Sequence, residues 1–523
     1  MTSRLFPLFL SLLTSVTQLA AATIDLTVRS RANDTAAGAR ATQETVTWDG
    51  EKTAVIICDM WDTHTCPNAA ARVAEMAPRV NEFAKAARAK GALIIHCPSD
   101  VTKFYADTPQ RRLAQAAPVV EPKVPLERWC KLDPDKEAPL PIDDSDSGCD
   151  CATTWKEGDP YPWTRQHPAI EIAEGDAITD SAEAYYLMRQ RGLENVLVCG
   201  VHLNRCVLGR PFAIRQLVAQ DLNVVLVRDL TDALYNPARR PWVNHFAGTA
   251  LMVEHVEKYW CPTTTSDAFC GGKPFQFGGD HPPHIVFVIG EGEYKTAETV
   301  PAWAKRELEP RGIRCTFLID DLKSEPDFPQ LIELENADAL FVSLRRRGLP
   351  PDQLAAIRKF AEAGKPVLGI RTASHAFAPK KLEPGRAAWE TFDRDIFGGH
   401  YEGHYGKGPA SLVRIDPKNA DHPILNGTPN TGLRFPSHLY KARDLAPTTR
   451  VIMRSTLEGK PEIDEPVAWI NESEKRKSFY TSLGSPDDFE QPAFQRLLLN
   501  AALWAVGQPI PPAEAGVAPA IAR

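Results

Sequence analysis

Beyond its N-terminus the sequence has no run of the roughly 18 uninterrupted apolar residues that a membrane-spanning helix needs. No membrane span is therefore expected in the mature chain. Basic excess is missing as well: 60 Lys and Arg stand against 67 Asp and Glu, a net charge of −7. With nothing to neutralise a phosphate backbone, nucleic acid is not an expected partner. Glycine and proline, 32 and 44 of 523 residues, fall well short of the share that marks disordered or collagen-like chains. Cysteine is present, but its eleven positions include no C-x2-C pair. Structural zinc is therefore not expected, nor is any other metal or cofactor. An odd cysteine count also leaves at least one thiol outside any intrachain pairing.

What is present is globular: 43% hydrophobic and 24% charged residues, on a chain long enough for two large domains. Residues 1–22 show one Arg, an apolar run from Leu5 to Leu13, and small residues ending at Ala22. That order is the pattern of a signal peptide, so a periplasmic or secreted protein is expected. Cys58, Cys97 and Cys199 lie in apolar strand-like runs and read as small buried hydrophobes. Cys130, Cys149, Cys151, Cys261 and Cys270 lie in loop-like sequence and can pair in an oxidising compartment, with the connectivity open.

After a polar extension over 23–44, two βα-alternating halves appear, 45–265 and 284–508, joined by a Thr/Gly/Pro/Phe-rich linker over 266–283. A Pro- and Ala-rich tail occupies 509–523. TAVIICDMW, ALIIHCPS, NVLVCGVH and NVVLVRDL are short β-branched runs separated by segments of helical period, and HIVFVIG, ADALFVS and KPVLGIR repeat the logic. Apolar strands alternating with amphipathic helices imply α/β architecture: two tandem Rossmann-like three-layer domains with mainly parallel sheets. A long insert, about Lys103 to Trp163, is Pro-rich, acidic and aromatic. Within it PIDDSDSGCD reads as a solvated acidic turn.

Open parallel sheets carry their sites outside the carboxyl ends of the strands. The first run ends at Asp59, and the third leads into CGVHLNRCVLGR, where Cys206 opens an expected helix through FAIRQLVAQ. A Cys at a helix start has a lowered thiol pKa and nearby amide donors, and Asp59 is a candidate base for it. AVIICDMWD followed by VLVCGVHLNRCV resembles the isochorismatase-like cysteine hydrolases over residues 45 to 265. The resemblance implies Cys206 as nucleophile, Asp59 as general base, oxyanion donors from the backbone N–H groups of Cys206 and Arg205, and a cis peptide near Val201 and His202. It also implies a small-molecule substrate, cleavage of an amide- or carbamoyl-type C–N bond, and a homo-oligomer. Trp61, His64, His167 and His202 are the expected substrate-lining residues. The family's third catalytic residue is a Lys, and no Lys lies between Lys156 and Cys206. Arg165 is the nearest cationic replacement, and a non-catalytic binding protein that keeps the hydrolase fold is the alternative reading.

In the second half, KPVLGIRTASHAF, FGGHYEGHY and KSFYTSLGSPDDF resemble the ThuA-like family, which shares the class I glutamine amidotransferase fold. Arg371 stands where an amidotransferase has its nucleophilic Cys, and Ser485 where many relatives have His, which excludes thiol amidotransfer. Arg371, His375, His400, Tyr401 and His404 are the expected cleft residues, suited to a sugar or an anionic ligand.

Overall fold

The structure, a computed structural model, describes residues 22–32, 41–323, 326–406, 408–473 and 476–516. The signal-peptide expectation over 1–22 lies, except for Ala22, outside the described residues, as does the end of the tail from 517. The chain divides into two compact units. One comprises residues 1–140, 151–234 and 252–277, the other 141–150, 235–251 and 278–523.

The first unit is built on an eight-stranded sheet ordered β2-β1-β8-β7-β6-β3-β4-β5. Its strands are β1 Thr23–Arg31, β2 Ala41–Asp49, β3 Thr53–Cys58, β4 Leu93–Cys97, β5 Ala177–Ile178, β6 Asn195–Val201, β7 Asn223–Asp232 and β8 Thr263–Thr264. Strands β3 to β8 pair in parallel, and all residues of β3 and β6 are buried, as continuous apolar runs require when both faces are covered. Strands β1 and β2, which overlap the polar extension expected over 23–44, pair antiparallel and continue the sheet through β8. The helix Pro67–Ala89 follows β3 and buries Ala69, Val73, Met76, Val80, Phe83 and Ala87, one stripe at three- and four-residue spacing. At the site-bearing end of β6, Gly200 has φ +105°, and a Cβ there would sit 2.0 Å from the Cys58 carbonyl oxygen. Only glycine allows β6 and β3 this approach.

The second unit holds a nine-stranded sheet. Its strands include β9 His284–Gly290, β10 Arg314–Ile319, β11 Ala339–Leu344 and β12 Val367–Ile370. A separate ribbon pairs β13 His400–His404 with β16 Tyr440–Arg443, and the remaining strands are β14 Ser411–Ile415, β15 Leu433–Phe435, β17 Thr449–Leu457, β18 Lys460–Ser473 and β19 Arg476–Thr481. From β10 through β9, β11 and β12 to β19 the pairing is parallel; beyond β19 it is antiparallel. Along β9, Ile285, Phe287 and Ile289 enter one core with Trp303 and Leu498, while Val286 and Val288 enter a second with Leu354 and Ile357. This period-two division places a core on each face, the three-layer arrangement the sequence pattern implies.

Candidate active site

At the end of β3 the chain turns sharply, with Asp59 at φ 47°, and aims its carboxylate into the first unit. The side chain is fully buried. Its Oδ1 accepts a hydrogen bond from the Ser99 amide at 2.8 Å, beyond the end of β4, and the Asp59 amide donates to the Cys97 carbonyl at 3.0 Å. From the end of β6, through a cis peptide between Val201 and His202, the chain reaches Cys206. Three neighbouring strand ends thus bring Asp59 and Cys206 together, as their positions in sequence imply, and add Ser99, which the sequence did not single out.

The expected helix from Cys206 onward is divided. It runs Cys206–Gly209, breaks at Arg210 and Pro211, and resumes as Ile214–Ala219. Proline disfavours helical backbone in the residue before it, and Arg210 is extended, with ψ 158°. The break returns the Arg210 guanidinium to Asp59, Nε to Oδ2 at 3.4 Å, and to Asp100 at 3.4 Å. Trp129 of the insert covers it, with the guanidinium 5.5 Å from the ring centre. Gly209 permits this cover, because a Cβ there would lie 2.8 Å from the indole.

Burial pushes the Cys206 thiol up and the Asp59 carboxylate adds to the effect, with Arg210 opposing both. Asp59 is likewise raised by burial, against Arg210 and its hydrogen bonds. The four-residue helix therefore does not give the low thiol pKa anticipated for a Cys at a helix start, because desolvation and a carboxylate outweigh it. The resting pair is a neutral thiol beside a buried carboxyl, with one cation at hand. The Arg205 amide is not the free oxyanion donor expected of it, because it donates to the His202 carbonyl at 2.9 Å, an oxygen that the Val207 amide also reaches at 3.2 Å.

Arg165 is not the cation brought to this pair. Its guanidinium is half exposed, lies 5.8 Å from the Phe104 ring centre and stands 4.0 Å from Asp62. Arg210 escaped the sequence reading although an Arg-Pro step follows Cys206 by four residues, and that step was the available signal.

An aromatic wall lies alongside. Trp61 and Trp163 stack at 4.3 Å, Tyr161 stacks on Trp163 at 4.2 Å, and His64 lies 5.6 Å from Trp163 and edge-on to His202 at 4.8 Å. Burial draws His64 down to about 4 and holds His202 well below the ordinary imidazole range, so both imidazoles are neutral near pH 7. His64 Nδ1 accepts from the Cys66 amide at 3.0 Å, which leaves its proton on Nε2. The His202 Nε2 and Trp163 Nε1 atoms are buried with no protein partner, placing polar capacity on an apolar wall. His167 is further out, with its amide on the Met60 carbonyl at 2.7 Å.

The insert is anchored by Glu137, whose Oε2 accepts from His255 Nε2 and Trp260 Nε1, both at 2.8 Å, while Arg215 Nε lies 2.7 Å from Oε1. Burial opposes this charge, but the partners outweigh it and bring the carboxyl down to about 2. A carboxyl lowered on folding stabilises above its unfolded pKa, so the contribution is complete above about pH 4.5 and is lost as pH falls toward about 2. Glu137→Gln is expected to cost about 3 kcal/mol at pH 7 by leaving Arg215 buried without its counter-charge. Urea unfolding at pH 7 and pH 3 checks this, since the difference between variant and parent should shrink at the lower pH.

In the second unit the polar residues gather at the carboxyl ends of β9, β11 and β12. Arg371, at φ 45° immediately after β12, is fully buried. Its Nη1 donates to the His438 carbonyl at 2.9 Å and to the Ser482 carbonyl, and the guanidinium lies between the Tyr294 and Tyr440 rings at 4.4 and 4.6 Å. Those contacts tie loops together, so Arg371 acts as a strut and not as the ligand-facing cation expected of it. His375 stacks on Tyr401 at 4.5 Å, and burial, with three arginines nearby, draws it down to about 3. Asp393 is buried, and its Oδ2 accepts from His400 Nδ1 and from the Tyr401 amide, both at 3.0 Å. Ser374, Asp393, His400, Tyr401, Tyr440 and Ser482 line one small cavity. His404 is exposed, donates from Nδ1 to the Tyr405 carbonyl at 2.9 Å, and is not part of that lining.

Residues 286–505 match the ThuA family, described as trehalose utilisation. The match spans β9 through the closing helix Pro492–Ala505, and so takes in the parallel strands and the Asp393–His400 pair. Solved structures similar to the chain include a putative ThuA-like protein from Parabacteroides merdae ATCC 43184, at 11% identity over 45% of this chain and 97% of that one, TM-score 0.32. A cysteine hydrolase from Pseudomonas syringae pv. phaseolicola 1448A is similar at 18% identity over 42% of this chain and 91% of that one, TM-score 0.27. The carbohydrate deacetylase Agd3 is similar at 15% identity over 43% and 32%, TM-score 0.28. No curated protein matches the chain. In the ThuA-like unit, Arg371→Met is expected to lower the thermal midpoint sharply, by about 3–5 kcal/mol of stability, because a buried cation and its two ring contacts are lost together. His400→Ala should lower that midpoint less, because the Asp393 carboxylate keeps the Arg394 and Tyr401 amides as donors, and scanning calorimetry of both variants distinguishes the strut from the cavity residue.

Proposed function

We propose that the first unit is a cysteine hydrolase of the isochorismatase-like class that cleaves an amide- or carbamoyl-type C–N bond of a small molecule. The observation that carries the reading is the buried pair of Asp59 and Cys206 at adjoining strand ends, with the partly exposed Arg210 guanidinium 3.4 Å from the Asp59 carboxylate. Asp59 takes the thiol proton as the Cys206 sulfur attacks the carbonyl carbon, and the Cys206 backbone N–H and Arg210 stabilise the charge that develops. Asp59 returns the proton to the nitrogen as the C–N bond breaks and the amine leaves. Water, deprotonated by Asp59, then attacks the thioester carbonyl, releases the acid and restores the thiol. Trp61, Trp163, His64 and His202 form the wall against which the substrate lies.

The ThuA-like unit is read as the accessory part, binding a sugar or an anionic ligand at the Asp393–His400 cavity. The chain is read as exported, with a mature N-terminus near Thr23; Met1 retained on active protein would contradict that. A screen of small amides and N-carbamoyl compounds for amine or ammonia release, with Cys206→Ala in parallel, tests the hydrolase reading. Release that depends on Cys206 is the expected result.

A second reading, a binding protein that keeps the hydrolase fold, is favoured by the raised thiol pKa. A ligand that binds tightly and is never turned over would support it.

A further inference from the structure

Two thiols of the first unit have no part in the chemistry above. Cys66 Sγ and Cys151 Sγ stand 3.6 Å apart, although 84 residues separate them in the chain. Cys66 is buried, at the N-cap of the 23-residue helix Pro67–Ala89, and Cys151 is partly exposed in the insert. The Asn68 amide in the first turn of that helix donates to Cys151 Sγ at 3.4 Å, which holds this sulfur at the start of the helix beside Cys66. A second contact already ties the two segments, from Thr153 Oγ1 to the Thr65 carbonyl at 2.5 Å.

We propose that Cys66 and Cys151 form a disulfide that fastens the insert to the start of this helix. Closure from 3.6 Å to the roughly 2.05 Å of an S–S bond is within the reach of side-chain rotation. With a small disulfide such as oxidised glutathione as oxidant, the partly exposed Cys151 thiolate attacks one glutathione sulfur and expels the other as thiolate. Cys66 then attacks the Cys151 sulfur and expels the second glutathione. Two cysteine thiols and one disulfide become one protein disulfide and two reduced glutathiones, which take up the two protons. The bond fixes the stretch from 151 to Trp163, which ends in the wall beside Asp59 and Cys206. It forms whether or not that site is a hydrolase.

The test equilibrates the full chain with oxidised and reduced glutathione at graded ratios, quenches by alkylation and maps the peptides. A linked pair of peptides containing Cys66 and Cys151 should appear while Cys315 still alkylates. Trypsin cleavage after the exposed Lys156 should slow about tenfold in the oxidised protein and recover with reductant. Cys66→Ser should hold Cys151 as a glutathione adduct, and Cys151→Ser, at a partly exposed position, should abolish the link without loss of fold. A link from Cys66 or Cys151 to Cys149 would overturn the proposal. So would alkylation of both thiols at every ratio, or protection of both that is removed by a zinc chelator.

Discussion

Cys206→Ala is expected to reduce hydrolysis to background, a loss of at least about 10⁴-fold, and Asp59→Asn to cost about 10³- to 10⁴-fold with the fold intact. The sulfur is the atom that bonds to the substrate carbon, so no neighbour can replace it. Asparagine keeps the hydrogen bond from the Ser99 amide but cannot accept the thiol proton. Because Asp59 is raised by burial, the acid limb of kcat/KM should lie above the ordinary carboxylate range, near pH 4, with activity lost as pH falls through it. Circular dichroism with unchanged thermal midpoints separates loss of chemistry from loss of structure. Full activity in either variant would remove the proposed roles.

The second large effect concerns the cation. Arg210→Ala should lower kcat/KM by about 10²- to 10³-fold, comparable with removal of an oxyanion donor. It should also move the acid limb upward, because Arg210 is the charge that holds the Asp59 pKa down. Arg210→Lys keeps a charge but not the planar fork that spans Asp59 and Asp100, so it should recover part of the loss. Arg165→Ala serves as the contrast. A half-exposed guanidinium 4.0 Å from Asp62 should change stability by no more than about 0.5 kcal/mol and leave turnover unaltered. The reverse ranking, Arg165 essential and Arg210 dispensable, would return the third role to the position suggested by sequence.

The contrast between the two arginines shows how far this sequence can be read. Asp59 and Cys206 were legible because unbroken apolar runs define parallel strands and parallel strands define where side chains emerge. The same logic located β9, β11, β12 and the polar residues after them. Arg210 was not legible because its direction depends on a helix break, and FAIRQLVAQ carries a helical period strong enough to mask the Arg-Pro step. Arg371 was misread for a different reason: a cation at a strand end can face a ligand or brace loops, and only the positions of Tyr294, Tyr440 and the Ser482 carbonyl decide. The pairing of β1 with β2 was hidden by composition, since β2 lies at the edge of the sheet with an exposed, polar strand. Cys66 and Cys151 were unmatched in sequence because proximity across 84 intervening residues leaves no periodic trace.

The central claim is that Cys206 bonds to the substrate carbonyl with Asp59 as its base. Rapid-quench peptide mapping during turnover of the best amide from the screen tests it most directly. An acyl mass on the peptide containing Cys206, formed before amine release is complete and absent from Asp59→Asn, is the predicted result; turnover with no acyl group on Cys206 at any quench time would contradict it.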